Sequence, residues 1–511
     1  MSSVTCRGPF TIKATLETPW NLLAPRVARG LTHSPSLDML PCVRRPQHIS
    51  KETPIAMPST SPEQPLDRVN TYSRPSELRI TDIRIATIVG APMRCPLIQV
   101  ITNQGLVGYG EVRDGASKSY ALMLKSRLLG ENPCNVDRVF RRIKQFGGHA
   151  RQGGGVSGIE VALWDLAGKA YGAPVYQMLG GKFRDRVRVY CDTDVRGKAD
   201  GAAMGRALQK RIEMGFTFLK MDVGIGLLQD EPGALTAPLG YLEETRSAVR
   251  RPGPEHGEEA RRDLARRWYD LNNTAHPFTG IRVTEHGLDR LEQYVADVRA
   301  VIGYDVPLAT DHFGHIGIED CIKIARRLDK YNLAWYEDML PWQMTEHYVR
   351  LAQSCATPIC TGEDIYLKDS FAPLLASGGV SVIHPDLLTC GGIYELKKIG
   401  DLAQEHGVAM AIHMAESPIA CMAAVHAAAA TENFLALENH SVDVPWWNDL
   451  VTGLPNPIVQ DGHIAVPDAP GLGIEALNDE VIAAHLDPDD PGLWEPTDAW
   501  DRLDSHDRLW S

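Results

Sequence analysis

Three acids recur at a fixed interval in the middle of this chain. Asp311 ends the run VPLATD, Glu337 lies in LAWYED and Glu363 in TPICTGED, 26 and again 26 residues apart. Each follows a short apolar, β-like run, and a helix-like segment separates one acid from the next. That interval is about the length of one βα unit. It predicts adjacent parallel strands whose C-terminal ends converge on one face of a barrel. Three carboxylates gathered there repel one another unless a cation sits between them. Their all-oxygen chemistry points to Mg²⁺, with Mn²⁺ as the alternative, because zinc prefers His and Cys.

The pattern extends in both directions. Further candidate strand ends are Asp192 (RVRVYCD), Asp222 (FTFLKMD), Asp386 (VSVIHPD), His413 (VAMAIH) and Glu438 (FLALE), which makes eight strands with helices between them. One gap is anomalous. Lys220 and Asp311 lie 91 residues apart, so roughly 60 extra residues near 224–283 separate the second strand from its helix. A loop at that position lies on the active face of a barrel, which makes it a candidate lid, subunit contact or surface decoration.

Ahead of the barrel, LRITDIRIATIV and PLIQVITNQGLVGYGEV alternate around Asn103-Gln104-Gly105 and read as strands. Gly-rich GGHARQGGGVSG (147–158) leads into a helix over 159–181, which Gly172-Ala173-Pro174 interrupts. The reading is α/β: an α+β capping domain over 76–185, a barrel over 186–440 and a C-terminal segment over 441–511 that returns to the cap. Trp446 and Trp447 in that segment are candidates to cover a pocket or to pack. Residues 1–75 hold 11 of the 34 prolines and 9 basic against 5 acidic residues, and they read as a disordered extension.

Composition excludes several classes. A hydrophobic fraction of 44% with 23% charged residues belongs to a soluble globular protein. No apolar run is long enough to span a membrane. A net charge of −13 argues against a nucleic-acid surface. The 10 cysteines form no CxxC pair and read as reduced, which suits a cytoplasmic enzyme.

Given a metal, the other strand ends supply acid–base groups. Lys220 and Asp222 are two residues apart on one strand and point inward together. A lysine whose pKa is drawn toward neutrality can take a proton α to a carboxylate. Asp386 and His413 end consecutive strands, so the carboxylate can fix the imidazole tautomer. Lys220 and His413 would then flank a substrate from opposite faces, which suits epimerisation or elimination equally. Glu438, if protonated, could hydrogen-bond the substrate carboxylate. His312 and His315 follow the first metal acid and could reach hydroxyl groups. His384 points the same way as Asp386, one layer deeper.

The stretch SGIEVALWDLAGKAYGAPVYQMLGG resembles the signature of the mandelate racemase and muconate lactonizing enzyme family in the enolase superfamily. The resemblance runs from about residue 78 to the end. It implies a modified (β/α)₇β TIM barrel with a capping domain, one Mg²⁺ per subunit on Asp311, Glu337 and Glu363, a His413–Asp386 dyad and Glu438. It also implies that cap loops near Ala91–Pro96 and Glu111–Ser119 contact substrate, and that the chain forms a homo-oligomer. Lys220-Met221-Asp222 departs from the racemase Lys-x-Lys and is similar to the galactonate dehydratase branch. That branch places a histidine where this chain has Phe313, so the base on that side is Lys220, His312 or His315. The expected activity is dehydration of a sugar acid to a 2-keto-3-deoxy acid. The alternatives are an epimerase or cycloisomerase on the same scaffold and a non-catalytic relative.

Overall fold

The computed structural model describes residues 73–193, 200–237, 280–311, 313 and 316–502. Residues 1–72 of the extension, 238–279 of the insertion, and both His312 and His315 lie outside the described residues.

The alternating stretch at the start folds as predicted into an antiparallel sheet, β1 (Ile80–Ile88), β2 (Cys95–Thr102) and β3 (Val107–Glu111). Helices α1 (Val136–Ile143) and α2 (Gly154–Tyr171) cover it. Helix α2 is buried on nearly every face because it lies between the cap sheet and the barrel. The glycines permit that approach. A Cβ on Gly158 would sit 2.1 Å from the Glu111 carbonyl oxygen, and one on Gly154 would sit 2.5 Å from the Arg113 Cβ. The helix stops at Gly172, which takes the left-handed conformation at φ 67°.

The barrel follows in eight parallel strands. They are β4 (Arg186–Cys191), β5 (Leu219–Asp222), β6 (Leu308–Asp311), β7 (Tyr336–Glu337), β8 (Ile359–Thr361), β9 (Val382–Ile383), β10 (Ala409–Ile412) and β11 (Phe434–Asn439). The ladder runs from β5 through β11 and on to β4, each strand parallel to the next. Seven helices alternate with the strands: α3 (Gly201–Glu213), α4 (Glu285–Ile302), α5 (Ile318–Leu328), α6 (Thr345–Ala352), α7 (Lys368–Ser377), α8 (Ile393–Glu405) and α9 (Pro418–Ala429). This is the expected modified barrel beneath a cap. Side chains cap several helices at their N-termini: Asp200 accepts from Ala203 N at 3.0 Å, Thr284 from Gly287 N and Ser417 from Ile419 N.

Strand periodicity places the site. The inward face carries a plug of Tyr190, Phe218, Ala309, Trp335, Cys360, Val382, Ala411 and Ala436. Two residues further along four of these strands, on the same face, come Lys220, Asp311, Glu337 and Glu438. An apolar floor therefore supports a charged layer.

The chain after β11 folds back. Strand β12 (Val451–Thr452) pairs with β14 (Ala476–Leu477), and β13 (His463–Ala465) runs antiparallel to β4. The segment then follows β1, with Val89 N donating to His485 O at 3.0 Å and Asp487 N to Thr87 O at 2.8 Å. Lys125, 1% exposed, joins Asp82 of the cap to Asp501 of this segment. The described cysteines are all free, and no described helix is long and apolar enough to cross a membrane.

Candidate active site

The charged layer centres on Lys220, which is 2% exposed. Its Nζ lies 2.8 Å from Asp311 Oδ2, 3.0 Å from Glu337 Oε1 and 2.8 Å from Glu438 Oε1. Strands β5, β6, β7 and β11 thus aim four charged ends at one point. Burial works against the ammonium, but Asp311, Glu337 and Glu438 more than offset it and hold the pKa well above the usual lysine range. The sequence reading expected a lysine drawn toward neutrality. That expectation was for a metal-loaded site; among the protein groups alone, the three carboxylates favour the ammonium.

Glu363, two residues past β8, is the third predicted metal acid, but it contacts His413 and Arg113 where Asp311 and Glu337 contact Lys220, and the ligand atoms of these three acids do not all lie within 4.8 Å of one another. Its Oε2 is 3.2 Å from His413 Nε2 and its Oε1 is 3.8 Å from an Arg113 nitrogen. Burial opposes its ionisation, yet His413 and Arg113 bring its pKa down to about 2. Glu337 behaves alike, lowered to about 2 by His384 and Lys220 against its burial. A fourth carboxyl, Asp338, stands among these three. Burial and then the charges of Glu363, Glu337 and Asp311 push it well above the carboxylate range, while Thr361 Oγ1 donates to it at 2.5 Å. A carboxyl forced to keep its proton by three neighbours marks a surplus of negative charge. With hard oxygen donors only, that surplus fits Mg²⁺ or Mn²⁺.

Strands β9 and β10 deliver the dyad. Asp386 and His413 form a parallel bridge, and His413 Nδ1 lies 2.8 Å from Asp386 Oδ2. Asp386 Oδ1 accepts from Thr389 N at 2.8 Å, so the carboxylate also caps the one-turn helix Leu387–Cys390. Burial and Arg113 lower the imidazole pKa, whereas Glu363 and Asp386 raise it; the net result is about 10. These acids favour the protonated ring, and Nε2 is turned toward Glu363.

Two expectations for this layer change. Glu438 was read as a neutral donor. Its burial favours that state, but Lys220 at 2.8 Å and His440 beside it hold it ionised, well below the usual range. His384 was read one layer below Asp386 on the same face, as a candidate substrate contact or a structural residue. It is 1% exposed, with Nε2 2.6 Å from Tyr190 Oη and Nδ1 2.9 Å from Glu337 Oε1 without a well-aligned hydrogen bond, so it lies inside the barrel beneath the mouth. Asp222 ends β5 opposite Asp311 and is half-buried at the mouth. Phe313 is fully buried, packed at 5.7 Å against Tyr336 on the barrel's outer layer. Trp446 stacks on His485 at 3.7 Å, and Trp447 donates to Glu416 O at 3.0 Å, so both tryptophans pack.

Three site residues escaped the sequence reading. Arg113, just past β3 in the flagged cap loop, is fully buried against the barrel dyad. One of its nitrogens lies 2.7 Å from Asp386 Oδ2, 2.8 Å from Glu416 Oε1, 2.7 Å from Asp114 Oδ1 and 3.3 Å from His413 Nδ1. Glu416 follows His413 by three residues; burial and Asp386 push its pKa well above the carboxylate range despite Arg113. His440, two residues past Glu438, sits between Glu438 Oε1 at 3.2 Å and Asp192 Oδ2 at 3.5 Å. The available signal was position: each lies within three residues of a predicted strand end or cap-strand end.

Comparison with known proteins agrees with this architecture. Residues 68–180 match the model of the mandelate racemase / muconate lactonizing enzyme N-terminal domain, and residues 203–481 match the enolase C-terminal domain-like model. A D-xylonate dehydratase of Haloferax volcanii is 31% identical over 429 residues, covering 82% of this chain and 92% of that protein. A D-galactonate dehydratase of Verminephrobacter eiseniae is 26% identical and covers 79% and 94%. A mandelate racemase/muconate lactonizing enzyme-like protein from Rubrobacter xylanophilus superposes with a TM-score of 0.66 at 31% identity, covering 81% of this chain and 99% of that one. An enolase superfamily member from Salmonella Typhimurium gives 0.64 at 25% identity, with 79% and 97% covered. The chain is thus an enzyme of the mandelate racemase / muconate lactonizing enzyme family, within the enolase superfamily.

Proposed function

We propose that this enzyme is a Mg²⁺-dependent dehydratase of a sugar acid, an aldonate or aldarate, yielding a 2-keto-3-deoxy acid. The geometry that supports this reading is the His413–Asp386 pair with Nε2 3.2 Å from Glu363, beside a buried Lys220 that contacts Asp311 and Glu337. The relatives named as D-xylonate and D-galactonate dehydratases support it.

Asp311, Glu337 and Glu363 would hold the cation. It would supply charge neutralisation for a substrate carboxylate as the α-proton leaves. Lys220 Nζ takes the α-proton as the Cα–H bond breaks. His413 Nε2 gives its proton to the β-hydroxyl as the Cβ–O bond breaks, and water leaves. The resulting enol takes a solvent proton at Cβ and loses its O–H proton to solvent, which gives the keto acid. Asp386 holds the imidazole tautomer throughout, and the ionised Glu438 anchors Lys220 at the floor of the site.

A library of aldonates and aldarates incubated with Mg²⁺ tests this. A keto acid trapped by semicarbazide is the expected product. Solvent deuterium in unchanged or epimerised acid, with no keto acid, would replace dehydration by epimerisation.

A further inference from the structure

His440 is absent from the mechanism above, yet it is built into the site. Its Nε2 is buried and makes no well-aligned hydrogen bond. His413, Glu438 and His440 each bring a ligand atom within 4.8 Å of the others. His440 Nε2 and Glu438 Oε1 are 3.2 Å apart. Donors in a tetrahedral zinc site, with bonds of about 2.0–2.1 Å, lie about 3.3 Å from one another. That pair is therefore already at ligand spacing, and His413 needs to close by no more than about 1.5 Å to join it.

The second feature lies behind the rings. A metal-binding histidine usually gives its other ring N–H to a carboxylate, which fixes the tautomer and raises ligand basicity. His413 Nδ1 has such a partner in Asp386 Oδ2 at 2.8 Å, and His440 Nδ1 faces the Asp192 carboxylate at the longer ion-pair distance of 3.5 Å. Two imidazoles and one carboxylate, each imidazole backed by an acid, differ in kind from the all-oxygen set on β6, β7 and β8. Nitrogen donors favour Zn²⁺, Co²⁺ or Ni²⁺ over Mg²⁺.

We infer that His413, Glu438 and His440 form a transition-metal site, separate from the carboxylate site, whose occupation by Zn²⁺ switches the enzyme off. Inhibition rests on the dehydratase reading: an ion on His413 Nε2 occupies the nitrogen that must carry the proton. Binding does not rest on it.

Co²⁺ serves as the probe. The full-length enzyme, held in excess Mg²⁺, is titrated with Co²⁺ and followed by visible absorption. The expected result is one saturable equivalent with the intense bands of four- or five-coordinate Co²⁺, displaced by Zn²⁺. His440→Asn should lose that binding, and Asp192→Asn should weaken it about 10- to 100-fold by removing only the support behind Nδ1. Glu337→Gln should leave it intact. Co²⁺ that Mg²⁺ displaces one for one, or that binds His440→Asn as tightly as the wild type, would overturn the site. Circular dichroism checks the fold; should His440→Asn be unfolded, His440→Gln and Asp192→Asn decide the matter by the same titration. Zn²⁺ should also abolish keto-acid formation, with activity restored by a chelator. If Co²⁺ binds in a His440-dependent way but no sugar acid is dehydrated, the metal site stands and the dehydratase reading falls.

Discussion

Removing the Arg113 guanidinium tests how the cap completes the barrel site. Its buried charge touches Asp386 at 2.7 Å, Glu416 at 2.8 Å and Asp114 at 2.7 Å. At an effective dielectric of about 20, each charged pair at such range is worth about 4 kcal/mol. Desolvation and mutual repulsion of the acids cancel much of that sum, and Glu416, pushed toward its neutral form, relieves one pair. Breaking a buried pair by removing one partner costs about 3–5 kcal/mol. Arg113→Met keeps the volume and removes the charge, so it should lose about 3–5 kcal/mol, an apparent melting temperature lower by roughly 5–15 °C. The loss has a direction in pH. Burial tends to raise the Asp386 pKa, but Arg113 and His413 lower it below the ordinary value. The stability this contributes is present above the unfolded pKa of about 3.9 and is lost as pH falls through the folded value. The deficit of Arg113→Met should therefore be largest near neutrality and shrink as the pH is lowered toward the carboxylate range. Arg113→Lys keeps a point charge without the planar fork and should fall between. Thermal melts of the three proteins across pH measure this. A variant as stable as the wild type at neutral pH, or a deficit that grows on acidification, would refute the reasoning.

Mg²⁺ at about 100 times its Kd should stabilise the wild type by about 2.7 kcal/mol. Glu337→Gln should remove that gain in a thermal-shift titration and abolish turnover with the fold retained; a full Mg²⁺ response in the variant would count against the ligand set. His413→Asn should cut keto-acid formation by about 10²–10⁴-fold while α-proton exchange with deuterated solvent persists through Lys220, and loss of both together would place His413 in the first step. Glu160 of α2 accepts from Ile393 N at 2.7 Å and Tyr394 N at 3.0 Å, docking the cap on α8. Burial lifts its pKa to about 8 despite those bonds, whereas an unfolded glutamate titrates near about 4.3. Between these values the folded state holds a proton that the unfolded state has lost, so stability falls as pH rises, at up to about 1.4 kcal/mol per unit. Glu160→Gln should flatten the stability profile over that window, and an unchanged slope would show that Glu160 stays ionised.

What the sequence disclosed and what it hid follow from range. Asp311, Glu337 and Glu363 were legible because strand periodicity and a constant βα length make a one-dimensional interval equivalent to a position on the barrel mouth. The same equivalence placed Lys220 beside Asp311 and His413 beside Asp386. It fails for residues whose position is set by packing across domains. Arg113 precedes Asp386 by 273 residues, and their contact depends on Gly154 and Gly158 letting α2 and β3 close against the barrel. Ionisation was the least legible property. Lys220, Glu438 and His384 each sit where strand parity puts them, but their charge depends on which neighbour wins. At 2.8 Å from Glu438, the Lys220 ammonium fixes both groups in their charged forms, and the Tyr190 hydroxyl at 2.6 Å turns His384 from a site residue into part of the floor. Lys220 Nζ contacts Asp311 and Glu337, two of the three acids proposed to hold the cation. With Lys220 as the base at a metal-held substrate carboxylate, chelation of the metal should abolish α-proton exchange in deuterated solvent, and exchange that persists after chelation would remove that coupling.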